Sequence, residues 1–400
     1  MNVKIEKLDH FGLGITDINN KICFVENALP NEIVNIEILK ETKKYYLAKT
    51  TDFIEKSPSR IVEKCPYYDS CNGCNLEHLS FLKENEFKKR KVQELLVKFA
   101  KIDPSLVKET IYSEEYNYRN KVTFHGANNK IGYYKKNSNS LLEIDKCLLL
   151  DKRINEVVRL LQNKDNDIKE LMIRTSNDTS QIMVKVIGKV KDISKLKDSV
   201  DVLFLNEKCL TKKEKIITNI GTRKYYLSVD SFFQVNKTLA EKLYDKVKEQ
   251  VAKTRPAKLL DLYCGTGSIG IYVSEFAKEI IGVDYSKSNI IDANENKTLN
   301  GINNITFIND KVENVIDNFK DIDMIIVDPP RAGLDKKTIK YIEQISPANI
   351  VYVSCDPVTL SRDLNLLKNY IVEEITPFNM FPRTHHVECV SVLHRKAIKK

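Results

Sequence analysis

The sequence predicts an α/β chain in three parts: a small N-terminal β-barrel, a central α+β segment and a C-terminal parallel sheet covered by helices. Three observations carry this. From about residue 238 apolar strands alternate strictly with helical stretches, the signature of a parallel sheet buried on both faces. Residues 1–56 instead alternate apolar and polar side chains in short runs, as in KICFVENALPNEIVNIEILK and YYLAKTTDFIEK. At 400 residues the chain is long enough for two or three separate cores.

The first 56 residues read as a barrel because Gly12, Gly14 and Pro30-Asn31 put turns between the short strands. Such barrels grip nucleic acid but also serve other ends. The segment 57–237 opens with KCPYYDSCNGCNLEH and continues into a charged helical stretch, LKENEFKKRKVQELLVKF. YRNKVTFHG and KIGYYKK form a hairpin, INEVVRLLQ a helix, and LMIRTS and QIMVKVIG a further strand pair; YYLSVDSFFQVN closes the segment as strand. Its basic and aromatic residues Tyr118, Arg119, Lys121, Tyr133, Tyr134, Lys135 and Lys136 suit base stacking and phosphate contact, or a solvated hairpin face.

In 238–400 the strands are KLLDLYC, EIIGVDY, NITFIND, DMIIVDPP, NIVYVSCD, YIVEEITPF and VECVSVLHR. The last two have no helix between them, so an antiparallel pair finishes the sheet. There is no internal repeat and no low-complexity tract.

The net charge of +9 permits a polyanionic partner without requiring one, since lysine, asparagine and isoleucine are all abundant. No apolar run reaches the length of a membrane span and the N-terminal stretch has no signal-peptide core, so a cytoplasmic location is expected. Nine cysteines then argue against a disulfide framework. Cys65, Cys71 and Cys74 cluster as C-x5-C-x2-C, which suggests a metal site with a fourth ligand from elsewhere. Zinc and an iron–sulfur cluster both remain open on spacing alone.

LLDLYCGTGSIG runs a strand into Gly265, Gly267 and Gly270 and then a helix, a turn that lets backbone approach a ligand. Alone it could equally announce a dinucleotide. Asp261 inside the strand, and Asp328-Pro329-Pro330 closing a later one, shift the balance, since this pairing resembles the S-adenosylmethionine methyltransferases. Asp284, ending the next strand, is suited to ribose hydroxyls or to capping the helix that follows. Asp328 is expected at the strand ends beside the reacting methyl, or else as a turn-initiating Asp before Pro329.

In VYVSCDPVTLSRDL, Asp356-Pro357 ends a strand and leaves Cys355 at its edge. A methyl transfer to oxygen or nitrogen needs no enzyme nucleophile, so a thiol here implies an unreactive acceptor carbon. Uracil C5 is one: adding a thiolate at C6 makes C5 nucleophilic, and a base must then remove the C5 proton. Glu388, a carboxylate in the apolar HHVECVSVL, is the candidate base, though on its own pattern it also reads as an outward-facing strand residue.

Five stretches, DSFFQVN, LDLYCGTGSIG, VDPPRAGL, SCDPVTLSRDL and HVECVSVL, come in the order of the RNA uracil-C5 methyltransferases, and the resemblance spans essentially the whole chain. It implies a Rossmann-like methyltransferase domain, Cys355 as nucleophile and Glu388 as proton acceptor. It also implies that Gln234, Tyr263, Asp284 and Asp328 line the pocket for cofactor and target base, and sets Arg331 on the RNA side. The family usually has Glu at Asp284; the shorter carboxylate needs only a small shift. The cysteine run resembles that of the ribosomal-RNA branch, with Asn72-Gly73 in place of Gly-Gly, and implies a [4Fe–4S] cluster on Cys65, Cys71, Cys74 and Cys147. Cluster and a TRAM-like barrel at 1–56 together point to 23S rRNA, with a flipped target uridine and a monomeric enzyme. The rivals are a tRNA uracil-C5 enzyme, an RNA cytosine-C5 enzyme, and a noncatalytic RNA-binding ribosome-assembly factor.

Overall fold

Alternation at the N-terminus produces a curled six-stranded sheet in a computed structural model that describes residues 1–162 and 166–397. The strand order is 2–4, 33–41, 45–55, 21–26, 14–18, 7–8. Inward residues such as Val25, Val34, Ile36 and Ala48 close a small core. Three bulges in the longest strand pair add the twist that curls the sheet.

The central sheet has seven strands, flanked by the helix Lys152–Leu161. The expected hairpin pairs 121–127 with 130–134, and 167–175 pairs antiparallel with 182–189. Only part of YYLSVDSFFQVN is strand. The strand Arg223–Leu227 ends before the motif, and Asp230–Asn236 runs as irregular backbone until Asn236 caps the helix Lys237–Thr254. Arg174, fully buried, holds that loop by bonds to the Ser231 carbonyl (2.6 Å) and hydroxyl (3.0 Å).

Two members of the supposed RNA-facing set turn inward. Tyr118 is buried with its hydroxyl on the Pro382 carbonyl (3.1 Å), and Tyr133 packs on the core of the central sheet. A side chain that buries an aromatic body gains more than stacking on solvent-exposed RNA could return in the free protein. Tyr134 and Lys135 stay exposed, with Tyr134 stacked on His125.

The C-terminal sheet has the order 305–309, 279–284, 258–262, 324–327, 349–354, 388–395, 370–378. The first five strands are parallel, and 388–395 runs antiparallel between 349–354 and 370–378. It is flanked by apolar cores on both faces. One helix of those cores comes from far upstream: Val92 and Leu96 of the helix Phe81–Ala100 belong to the same core as Leu260 and Tyr352. The last three residues of the 238–400 segment lie outside the described residues.

Candidate active site and cysteine cavity

Parallel strands deliver their C-terminal ends to one edge, where a topological crevice collects ligands. Here that edge lines a cavity of about 700 Å³. All six residues expected there, Gln234, Tyr263, Asp284, Asp328, Cys355 and Glu388, lie in its wall.

The glycine turn shapes one end. Gly265 and Gly267 have φ of +54° and +74°, conformations costly for other residues. A side chain on Gly267 would strike Phe307, whereas one on Gly265 would meet nothing within 4 Å and project into free space beside the cavity. Tyr263 also adopts a positive φ (+62°), and its hydroxyl donates to Asp335 (3.4 Å). Asp284 does not cap the following helix; Ser286 does, accepting from the Asn289 N–H. Asp284 instead accepts from the Gly265 N–H (3.0 Å), the Ser286 N–H (2.8 Å) and the Asn289 side chain (3.2 Å), tying the glycine turn to the next strand end.

At the other end the strand Asn349–Ser354 stops one residue short of Cys355, and Asp356 caps the helix Pro357–Leu366 through the Val358 N–H. Ser354 pairs with Cys389, so Cys355 comes level with Glu388 on the neighbouring antiparallel strand. Glu388 is buried and its Oε2 has no hydrogen-bond partner. Burial, reinforced by the charge of Asp328, pushes its carboxyl up to about 8. Burial likewise raises Asp328 to about 7. The Cys355 thiol is pushed up to about 11, by burial first and then by Glu388 and Asp328, while Arg331 pulls it down. Asp261, in the same wall, is raised to about 8 by burial and then by Asp328, so the site holds a thiol, three carboxyls shifted toward neutrality, and the cation of Arg331.

Several wall residues were not singled out from sequence. Phe232 and Tyr285 are exposed aromatics on the cavity rim, and His386 lies two residues before the expected base. Burial and neighbouring cations hold the His386 imidazole down at about 4, so it is neutral at pH 7. The sequence signal for Tyr285 is its position directly after Asp284; His386 carried none beyond adjacency to the HVEC run.

The second constellation is separate. Cys65, Cys71, Cys74 and Cys147 all line one cavity of about 110 Å³, each thiol free. The Gly73 N–H donates to Cys71 Sγ (3.4 Å). Among the described residues no three His, Cys, Asp or Glu side chains stand close enough to grip a single metal ion.

The family model for tRNA (uracil-5-)-methyltransferase matches residues 80–396, and that for the TRAM domain matches residues 1–50. This chain belongs to the tRNA (uracil-5-)-methyltransferase family. As a member, it is 34% identical to an uncharacterized RNA methyltransferase of Clostridium acetobutylicum, over 98% of this chain and 96% of that one. It is 32% identical to a similarly described protein of Staphylococcus aureus, over 97% and 96%. Among solved structures it is similar to the Pyrococcus abyssi tRNA (uracil-54, C5)-methyltransferase in complex with S-adenosyl-L-homocysteine. That likeness has a TM-score of 0.81 and 26% identity over 98% of this chain and 100% of that one. Family and fold together support S-adenosylmethionine-dependent methylation of uracil in RNA. The uracil-5-methyltransferase cavity fits such a donor: its volume suits a nucleoside joined to an amino acid, the open space beside Gly265 leaves room for one, and Thr266 Oγ1 is buried in the wall without a partner. Among the described residues no helix is long and apolar enough to cross a membrane.

Proposed function

We propose that the enzyme makes 5-methyluridine in 23S rRNA through a covalent bond between Cys355 and uracil C6. The observation that carries the chemistry is the register that sets Cys355 level with Glu388 at the cavity edge. Bound S-adenosylmethionine supplies the electrophilic methyl. Gln234, Tyr263, Asp284 and Asp328 would hold the donor and the flipped uracil, with Asp284 the candidate for the ribose hydroxyls. Cys355 Sγ adds to C6, C5 takes the methyl, and Glu388 removes the C5 proton; the C5–H electrons re-form the C5=C6 bond as sulfur departs. A carboxyl with its midpoint near 8 is a stronger base, once ionised, than an exposed glutamate. The base in the pocket must leave its stack, which favours a loop uridine.

The four cysteines would hold a [4Fe–4S] cluster. Four free thiols in the wall of one cavity support this reading. Methyl transfer needs no electron, so the cluster's part would be architectural or in RNA folding. Cluster ligands together with the TRAM segment support ribosomal RNA as substrate; the likeness to a tRNA enzyme keeps tRNA as the second reading. Segments 1–56, 57–237 and 238–400 would act as RNA-binding, cluster-bearing and catalytic units of a monomer in the reducing cytoplasm.

The test uses 5-fluorouridine-substituted transcripts of 23S rRNA and of tRNA with S-adenosylmethionine. A denaturation-resistant adduct on the rRNA that is lost in Cys355→Ala supports the reading, and mapping it names the uridine. An adduct on tRNA alone transfers the assignment to tRNA. Tight RNA binding with no adduct on either RNA overturns the covalent mechanism.

A further inference from the structure

Glu388 begins its strand at the end of a nine-residue connection, 379–387, whose shape is imposed from outside. Arg383 in its middle is buried with φ of +68°, a conformation that few non-glycine residues hold without support. The N–H groups of Asn75 and Leu76 both donate to its carbonyl (3.0 and 3.1 Å), and Glu84 accepts from its N–H (3.0 Å). His385 is gripped twice: its Nδ1 bonds Asn75 Oδ1 (2.8 Å), and its carbonyl accepts from the buried Lys91 ammonium (2.9 Å).

Asn75 follows Cys74 directly, so the loop that lines the cysteine cavity is the same loop that seizes the connection ahead of Glu388. We propose that Asn75 and Lys91 are positioning residues for Glu388, fixing His385 three residues upstream so that the carboxylate meets the C5 proton. The proposal rests on the reading of Glu388 as the base. It makes the cysteine loop part of the apparatus for the last step, elimination, and not of methyl transfer. In that step the carboxylate takes the C5 proton, the C5–H pair becomes the C5=C6 bond, and the C6–S pair leaves on Cys355.

The two steps separate in one assay. Unmodified transcripts of 23S rRNA and tRNA, carrying ordinary uridine, are incubated with methyl-labelled S-adenosylmethionine and full-length protein. Label is then scored as released RNA or as denaturation-resistant protein–RNA adduct. Asn75→Ala and Lys91→Met are expected to label RNA at near wild-type rates but to hold it as adduct, with elimination slowed roughly 10- to 100-fold. Asn75→Asp keeps an oxygen for His385 and should release product as wild type does. Glu388→Gln is the control and should accumulate adduct. If it does while Asn75→Ala and Lys91→Met release product freely, the positioning role is overturned and the base assignment stands. Loss of labelling and release in parallel, with a lowered Tm, overturns it in favour of a merely structural role. If Glu388→Gln itself releases product normally, the base assignment fails and the proposal falls with it.

Discussion

Cys355 and Glu388 meet across an antiparallel strand pair, although 32 residues of chain separate them. Cys355 opens the crossover that runs through the helix Pro357–Leu366 to the strand Tyr370–Phe378, and Glu388 begins the reversed strand that lies between the two. Inserting that reversed strand into an otherwise parallel sheet brings a thiol and a carboxylate to one edge. Replacing Cys355 by Ala should abolish the 5-fluorouridine adduct and 5-methyluridine formation together. The site is only half-buried, so Tm should stay within a few degrees of wild type. Retained methylation in Cys355→Ala, read by mass spectrometry of nuclease digests, would exclude the thiol mechanism.

The ionisation of the site predicts a rising pH profile. On the proposed mechanism Glu388 must lose its proton near pH 8, and Cys355, pushed up to about 11, must lose its own. Single-turnover rates should therefore climb by up to about tenfold per pH unit below pH 8. Arg331→Gln removes the cation that lowers the thiol and should move the climb to higher pH. A flat rate between pH 6.5 and 9 would show that neither ionisation limits the reaction.

The same burial costs stability. Glu388 has a folded value above its ordinary 4.5, so the native state keeps a proton that the unfolded chain has released. Stability must then fall as pH rises from about 4.5 to 8. Glu388→Gln should lack this contribution: its gain over wild type in urea unfolding should be larger at pH 8 than at pH 5, on the order of 1–4 kcal/mol. An equal difference at both pH values would mean that Glu388 ionises freely in the fold.

On the proposed reading, a change at Asp284 should affect donor binding and not RNA binding. Asp284→Ala loses the acceptor for the Gly265 and Ser286 N–H groups as well as the candidate ribose contact. Affinity for S-adenosylhomocysteine, measured by calorimetry, should drop roughly 10- to 100-fold with RNA affinity unchanged. Asp284→Glu should retain most of the binding. Equal binding by wild type and Asp284→Ala would remove Asp284 from the donor site.

Anaerobically purified protein should contain about four irons and four acid-labile sulfides per chain, with a broad visible absorption. Cys147→Ala should lose them. Zinc in place of iron, recovered by elemental analysis under the same conditions, would overturn the cluster.

The parts of the molecule that were legible from sequence share a cause. Glycine spacing, strand length and the Asp-Pro stop are local, and they located Cys355, Asp328 and the turn at Gly265 without any tertiary knowledge. Glu388 needed a chemical argument, because one carboxylate in an apolar strand points either way until the neighbouring strand is known. Contacts between distant segments were not legible. Tyr118 and Tyr133 carry the composition of an RNA-facing surface, and only the bond to Pro382 and the central core decide otherwise. The helix Phe81–Ala100 looks like a charged surface helix, yet Glu84, Lys88 and Lys91 on it are buried because their partners arrive some three hundred residues later.

The strand Glu388–Arg395 is interior to its sheet. A fragment ending at Phe378 would still possess the complete glycine turn and the thiol. It would also expose two unsatisfied strand edges where one filled slot should be, which invites aggregation and proteolysis. Such a fragment would carry the thiol without the Glu388 carboxyl beside it. In this fold the same stretch of backbone completes the sheet and carries the carboxyl that comes level with Cys355.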